Sequence, residues 1–282
     1  NAMCVMVVGF VNSGLMTLRQ ATNVIMGANV GTTVTAWIIS VIGFKVNIAA
    51  MSLPLFAIGI PLVFSGNSKR KSIGEFVFGF SFLFMGLSYL QQSATDLNIG
   101  SMVATMLAHV ADGGFFTIIL FVLVGALVTM LVQASAATMA ITLMLFDMHI
   151  PGFGLEQAAA LAMGQNIGTT ITAVMASITA GTQARRAALA HMFFNVFGVV
   201  FFLIIFYPSC SLVKWIMTDV LRDSNNNDMI AAFHTIFNVT NTVLLIGFIP
   251  QIEKFVCWLL PQKDDEDNEF RLKHISKGLV ST

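Results

Sequence analysis

Seven stretches of this chain, residues 20–44, 46–68, 76–95, 113–146, 157–184, 187–213 and 229–252, contain no Asp, Glu, Lys or Arg. A helix needs roughly 20 apolar residues to cross the ~30 Å hydrocarbon core of a bilayer, and these stretches supply them. A large soluble core produces one or two such runs, not a succession. Charged residues make up 10% of the 282 positions, against about 25% in soluble domains. The chain therefore reads as an all-α polytopic membrane protein.

The formal net charge is zero, so nothing points to nucleic acid. Cys4, Cys210 and Cys257 are far apart and suggest neither a zinc site nor a disulfide framework. Residues 1–18 lack the basic region and cleavage site of a signal peptide. No metal-ligand cluster, nucleophile elbow or phosphate-binding loop is present, which argues against an enzyme and against a bound cofactor.

The predicted spans are Gln20–Phe44, Val46–Phe64, Ile73–Leu90, Leu97–Ala111, Phe115–Val132, Leu155–Thr179, Ala187–Tyr207 and Met229–Ile249. Ser65-Gly66-Asn67, Asp112-Gly113-Gly114, Pro151-Gly152, Pro208 and Pro250 punctuate them. Lys69-Arg70-Lys71, Arg185-Arg186 and the tail from Pro261 mark cytoplasmic segments, and the loop 208–228 reads as external. His109 and Asp112 read as interfacial, and Asp147, His149 and Glu156 as solvated loop residues. Under these constraints Gln20–Phe44 runs outward and Leu155–Thr179 inward.

Those two spans contain related segments. Residues 27–40 read GANVGTTVTAWIIS and residues 164–177 read GQNIGTTITAVMAS, with eight of fourteen positions identical. Upstream, Leu18, Gln20 and Ala21 match Leu155, Gln157 and Ala158. Related segments crossing in opposite senses form an inverted repeat, as in many secondary transporters. Small residues also help membrane helices pack, but packing alone does not require Asn, Gly and three Thr at the same offsets twice.

The repeated chemistry suits a binding site. Asn29 and Asn166 offer donors and acceptors, and Thr32, Thr33, Thr35, Thr169, Thr170 and Thr172 offer hydroxyls. Gly27, Gly31, Gly164 and Gly168 permit broken helices, whose freed carbonyls coordinate a hard cation and whose half-helix N-termini attract an anion. Ahead of the second repeat, Gln133-Ala134-Ser135-Ala136-Ala137-Thr138 interrupts apolar sequence. Residues 133–150 read as a re-entrant hairpin, allowed at membrane depth where it is buried or lines a cavity. The equivalent hairpin of the first repeat is expected to end near Asn1-Ala2-Met3, which reads either as a tag scar or as the remnant of such an element.

The chain thus divides into a truncated first repeat (1–44), connecting helices (45–132), a second repeat (133–181), C-terminal helices (182–260) and a charged linker (261–282). His191 and Asn195, and His234 and Asn238, form a duplicated His-x-x-Phe-Asn with a structural or gating role. The charge-free windows leave no acid for a mid-membrane proton relay, which favours a metal cation as coupling ion.

At the paired Gly-x-Asn-x-Gly-Thr-Thr segments, with Gln133–Thr138 and Val8-Gly9-Phe10-Val11-Asn12-Ser13-Gly14, residues 4–260 resemble the sodium/phosphate cotransporter family (type II-related) in its bacterial form. The resemblance implies sodium-coupled uptake of inorganic phosphate across the cytoplasmic membrane by an inverted-repeat carrier with two re-entrant hairpins. An elevator-like movement and a homodimer suit that architecture. It also implies that Gln133, Ser135 and Thr138 join the repeated Asn, Gly and Thr residues in holding substrate and sodium. The family element is usually Gln-Ser-Ser-Ser, so Ala134 and Ala136 stand where hydroxyls are expected. Residues 264–282 resemble the linker to a cytoplasmic phosphate-uptake-regulator-like domain, expected after residue 282. A carrier of another small anion, such as a carboxylate, and a non-transporting membrane scaffold are the competing readings.

Overall fold

The structure, a computed structural model, describes residues 2–43, 48–108, 113–223 and 225–261. His109, Asp112 and the charged linker beyond Pro261 lie outside the described residues. Twelve helices are described: α1 (Ala2–Asn12), α2 (Leu18–Ile38, extended by a π-turn Ile39–Gly43), α3 (Ile48–Val63), α4 (Ser68–Asp96), α5 (Ile99–Ala108), α6 (Phe115–Val132), α7 (Ser135–Asp147), α8 (Leu155–Ser177), α9 (Thr182–Ile204), α10 (Phe206–Trp215, extended by a π-turn Ile216–Val220), α11 (Asn226–Ile246) and α12 (Ile249–Leu259). No strand occurs among the described residues. The protein is integral to a membrane: α2, α4, α6, α9 and α11 are each long and apolar enough to cross one. The α8 helix is also long, but it carries the polar repeat and is buried along most of its length.

The matched residues upstream of the repeats have a local cause. Gln20 Oε1 accepts from Thr17 N at 3.0 Å, and Gln157 Oε1 accepts from Gly154 N at 2.9 Å. Each glutamine reaches back from the third helical position and satisfies an N–H ahead of its helix. The repeat therefore starts α2 and α8 by the same device.

The expected helix breaks are absent. Both repeated segments run as unbroken helix within α2 and α8. The glycines of α8 instead permit backbone contact with α6. A Cβ on Gly164 would fall 2.0 Å from the Val122 carbonyl oxygen, and one on Gly168 2.6 Å from that of Ala126. Gly125 approaches the Leu161 carbonyl in the same way, at 2.3 Å. Gly27 and Gly31 of α2 differ, with no heavy atom within 4 Å of the Cβ position.

The α6 helix runs beside α8 in the same direction. Phe121 meets Phe153, Gly168 lies against Ala126 and Thr129, and Gln133 reaches toward Met175. Gln133 takes a left-handed conformation (φ 55°) and turns the chain through Ala134 into α7. The hairpin is therefore built from α6 and α7, with its tip at Gln133-Ala134. Residues 133–150 thus comprise the tip of this hairpin, α7 and the turn that follows it.

Two other boundaries differ from expectation. The external loop predicted at 208–228 is largely helical, because Pro208 sits in the first turn of α10, where its missing N–H has no helical acceptor. Pro250 likewise starts α12 rather than a turn.

Three apolar clusters organise the bundle. One joins α1, α2, α9 and α12, the second joins α2, α4, α7 and α8, and the third joins α6, α8, α9, α10 and α11. The α3–α4 pair packs chiefly on itself, through Gly74 against Leu62 and Val63 and through Phe56, Phe78 and Phe82. Asn29 and Thr33 of α2 and Gln165, Asn166, Thr169 and Thr170 of α8 are buried between the clusters.

Candidate functional site

The repeated segments face each other across two small cavities. The first, of about 10 Å³, is lined by Thr32, Thr35, Ser135, Gln165, Asn166 and His234 together with Ala36, Ala136 and Met139. The second, of about 30 Å³, is lined by Asn29, Thr32, Asn166, Thr169 and His191 together with Cys4 and Ala28. Thr32 and Asn166 border both. Water occupancy requires about 10–15 Å³, so the first cavity is at the limit for one guest of that size and the second holds one.

The order of lining residues is informative. Ala28 and Asn29 share a cavity with Thr169, while Thr35 and Ala36 share one with Gln165. Numbers rise along α2 as they fall along α8. The two cavities also correspond in part: Asn166 to Asn29, Thr32 to Thr169, His234 to His191, with α7 taking the place of α1, whereas Thr172, the counterpart of Thr35, lines neither.

Asn166 is held at both ends of its amide. Its Nδ2 donates to Asn238 Oδ1 at 3.0 Å, and its Oδ1 lies 3.2 Å from His234 Nε2. With Nδ2 already assigned as donor, Oδ1 is the acceptor, so His234 carries its proton on Nε2. Asn238 is fixed in turn by donating to the His234 carbonyl at 2.9 Å. The duplicated His-x-x-Phe-Asn thus orients a residue of the repeat.

The counterpart arrangement is not formed. Asn29 donates to the Ile25 carbonyl of its own helix at 3.0 Å, and Asn195 donates to the His191 carbonyl at 3.0 Å. Asn195 Oδ1 and His191 Nδ1 are buried without a partner among the described residues.

Most threonine protons point into the helices. Thr33 donates to Val30 O, Thr169 to Asn166 O, Thr170 to Ile167 O and Thr172 to Thr169 O, at 2.7–2.8 Å. A hydroxyl bonded this way still offers lone pairs. The Thr169 oxygen therefore meets its cavity as an acceptor, which suits a cation better than an anion.

Of the expected site residues, Asn29, Thr32, Thr35, Ser135, Asn166 and Thr169 converge on the cavities, with His191 and His234 beside them. Gln133 is exposed at the hairpin tip, and Thr138 is buried with its hydroxyl on the Ala134 carbonyl. Thr33, Thr170, Thr172, Gly31 and Gly168 line neither cavity. Asn195 and Asn238 stand behind the lining residues.

Four further polar residues, Gln165, Thr142, Asp228 and Ser40, lie outside the candidates named from the sequence. Gln165 donates from Nε2 to Thr142 Oγ1 at 2.8 Å, tying α8 to α7. Asp228, at the start of α11, is 1% exposed and accepts from Ser40 Oγ at the end of α2. The interior is therefore not acid-free. Asp228 adjoins the window 229–252, and that adjacency was the available signal.

Comparison with known proteins places this geometry in a family. The family described as Na+/Pi-cotransporter matches residues 1–92 and 98–218. The uncharacterized protein YqeW of Bacillus subtilis is 30% identical over 266 residues, covering 93% of this chain and 80% of YqeW. YjbB of Escherichia coli, named for inorganic phosphate export, is 24% identical over 284 residues, the whole of this chain but 49% of YjbB. The human sodium-dependent phosphate transport protein 2B is 38% identical over 94 residues, 32% of this chain and 13% of that protein. No solved structure matches the chain. With the family match covering well over half of its residues, the chain belongs to the Na+/Pi-cotransporter family.

Proposed function

We propose that the protein carries inorganic phosphate across the bacterial cytoplasmic membrane in symport with sodium, by alternating access of an inverted-repeat core. The observation that carries this reading is the joint lining of two adjoining cavities by Asn29 and Thr32 from α2 and by Asn166 and Thr169 from α8. Opposed numbering along α2 and α8 supports the inverted repeat, and the α6–α7 hairpin supports a re-entrant element with its tip at Gln133-Ala134.

The chemistry fits two kinds of guest. The Thr169 oxygen, its proton engaged on the helix, and the amide oxygens beside it suit a desolvated sodium ion. Phosphate needs donors and positive charge, and no Lys or Arg lines the cavities, so bound sodium and the Ser135 hydroxyl supply them. Cavities of about 10 and 30 Å³ are too small for a five-atom oxyanion. Phosphate binding then requires α7 and α1 to move away from α2 and α8, the movement expected of an elevator-type carrier.

His234 and Asn238 act as positioning residues, holding the Asn166 amide so that its face toward the cavities is constant. Asp228 leaves room for a proton beside the metal cation in the coupling.

The test is uptake of labelled phosphate into proteoliposomes holding the full-length protein. Unlabelled phosphate should compete, dicarboxylates should not, and Asn166→Ala should abolish the signal. Competition by a carboxylate with none by phosphate would assign the carrier to that anion. Uptake unchanged in Asn166→Ala would remove the cavities from the pathway.

A further inference from the structure

A second concavity, larger than the two polar cavities, lies away from the polar site. It is a groove of about 550 Å³ between α9, the end of α11 and α12, lined by Phe193, Phe197, Phe201, Leu244, Phe248 and Phe255 among others, with Gln251 as its polar margin. That volume falls within the range of small-molecule sites, ~300–1,000 Å³. The aromatic ladder is continuous: Phe193 and Phe197 are 6.2 Å apart, Phe197 and Phe201 6.5 Å, and Phe193 and Phe255 5.0 Å.

One end of the groove is formed by α12. The short α12 buries Ile249, Ile252 and Val256 and exposes Gln251, Lys254, Phe255, Trp258 and Leu259, a mixed polar and aromatic face that suits the headgroup region. Trp258 is 74% exposed, as suits an aromatic residue at headgroup level. The helix is fixed there by Arg19, paired with Glu253 at 3.0 Å, and by Arg186, whose Nε donates to the Leu260 carbonyl at 2.9 Å. Lys254 shares the exposed face with Gln251 and makes no ion pair among the described residues.

From that margin the groove runs inward along α9. Phe193 to Phe201 spans eight residues, about 12 Å at the helical rise. One leaflet of hydrocarbon is about 15 Å deep. The ladder is therefore comparable in length to the acyl region of a single leaflet, and Lys254, next to the lining residue Phe255, stands on the α12 side of the groove.

We propose that this groove binds one anionic phospholipid, with an acyl chain along the Phe193–Phe201 ladder and its headgroup phosphate on Lys254. Occupancy would tie α9 to α11 and α12, and hence to the helices that carry His191 and His234.

Native mass spectrometry of the purified full-length protein, titrated with dioleoyl phosphatidylglycerol or dioleoyl phosphatidylcholine, tests this. The wild type should retain one phosphatidylglycerol with about a fivefold preference over phosphatidylcholine, the contribution of one cation near a charged surface. Lys254→Gln, an exposed substitution, should keep a bound lipid but lose the preference. Leu244→Trp, which fills the groove, should lose both lipids. An unchanged preference in Lys254→Gln would overturn the headgroup assignment, and wild-type retention in Leu244→Trp would overturn the groove. Lipid-excluding cross-links between two copies through Phe197→Cys would assign the face to a dimer instead.

Discussion

Asn166 donates to Asn238 across 3.0 Å, whereas Asn29, its counterpart in the other repeat, donates back to Ile25 of its own helix. The two halves of the site thus share a sequence and differ in how their central amide is held. Asn238→Ala removes the acceptor for Asn166 Nδ2 in a buried site, at a cost of about 1–3 kcal/mol. Phosphate uptake should fall by about tenfold or more, since about 1.4 kcal/mol corresponds to a factor of ten. Asn195→Ala, which removes an unpartnered acceptor, should fall less. Equal losses in the two variants would remove the positioning role of Asn238.

The glycines of the repeats should respond in opposite ways. Gly164→Ala places a methyl group against backbone atoms of α6 that cannot move aside, so it should destabilise by about 1–3 kcal/mol or more. Gly27→Ala introduces a methyl group into open space and, within this chain, should be neutral or gain about 1 kcal/mol from helix propensity. Thermal unfolding of both variants in detergent checks the contrast.

Ala134 is the N-cap of α7 and makes no side-chain hydrogen bond to the helix. Ala134→Ser supplies the missing cap oxygen and should stabilise the hairpin by about 0.5–2 kcal/mol. Ala136 borders the smaller cavity, so Ala136→Ser adds an oxygen donor there and should lower the sodium concentration for half-maximal uptake. Chemical-denaturation midpoints and sodium titrations separate the two effects.

Ser40 holds the buried Asp228 carboxyl. Hydrogen bonds to charged groups contribute about 1.5–3 kcal/mol, so Ser40→Ala should lower the unfolding temperature. An unfolding temperature unchanged in Ser40→Ala would contradict the pairing.

Much of this arrangement is legible in the sequence because two copies of one segment report on each other. Gln20 and Gln157 match in sequence and are matched caps, and Asn29, Thr32, Asn166 and Thr169 line the same pair of cavities. The glycines were misread because sequence does not distinguish a glycine that bends a helix from one that admits a neighbouring backbone. Only the position of α6 settles the role of Gly164. Pro208 and Pro250 mark turns in the sequence, and each sits in the first turn of the helix that follows, where proline is equally at home. Asp228 was overlooked because burial depends on how the end of α2 meets the start of α11, a contact between residues 188 positions apart.

The central claim is that sodium and phosphate share the cavities bordered by Thr32 and Asn166. It is tested most directly by the initial rate of labelled phosphate entry into proteoliposomes of the full-length protein, under an inward sodium gradient and under an equal potassium gradient. The account predicts uptake with sodium, none above background with potassium, and loss of the sodium dependence in Thr32→Val. Equal uptake in the two salts would contradict it.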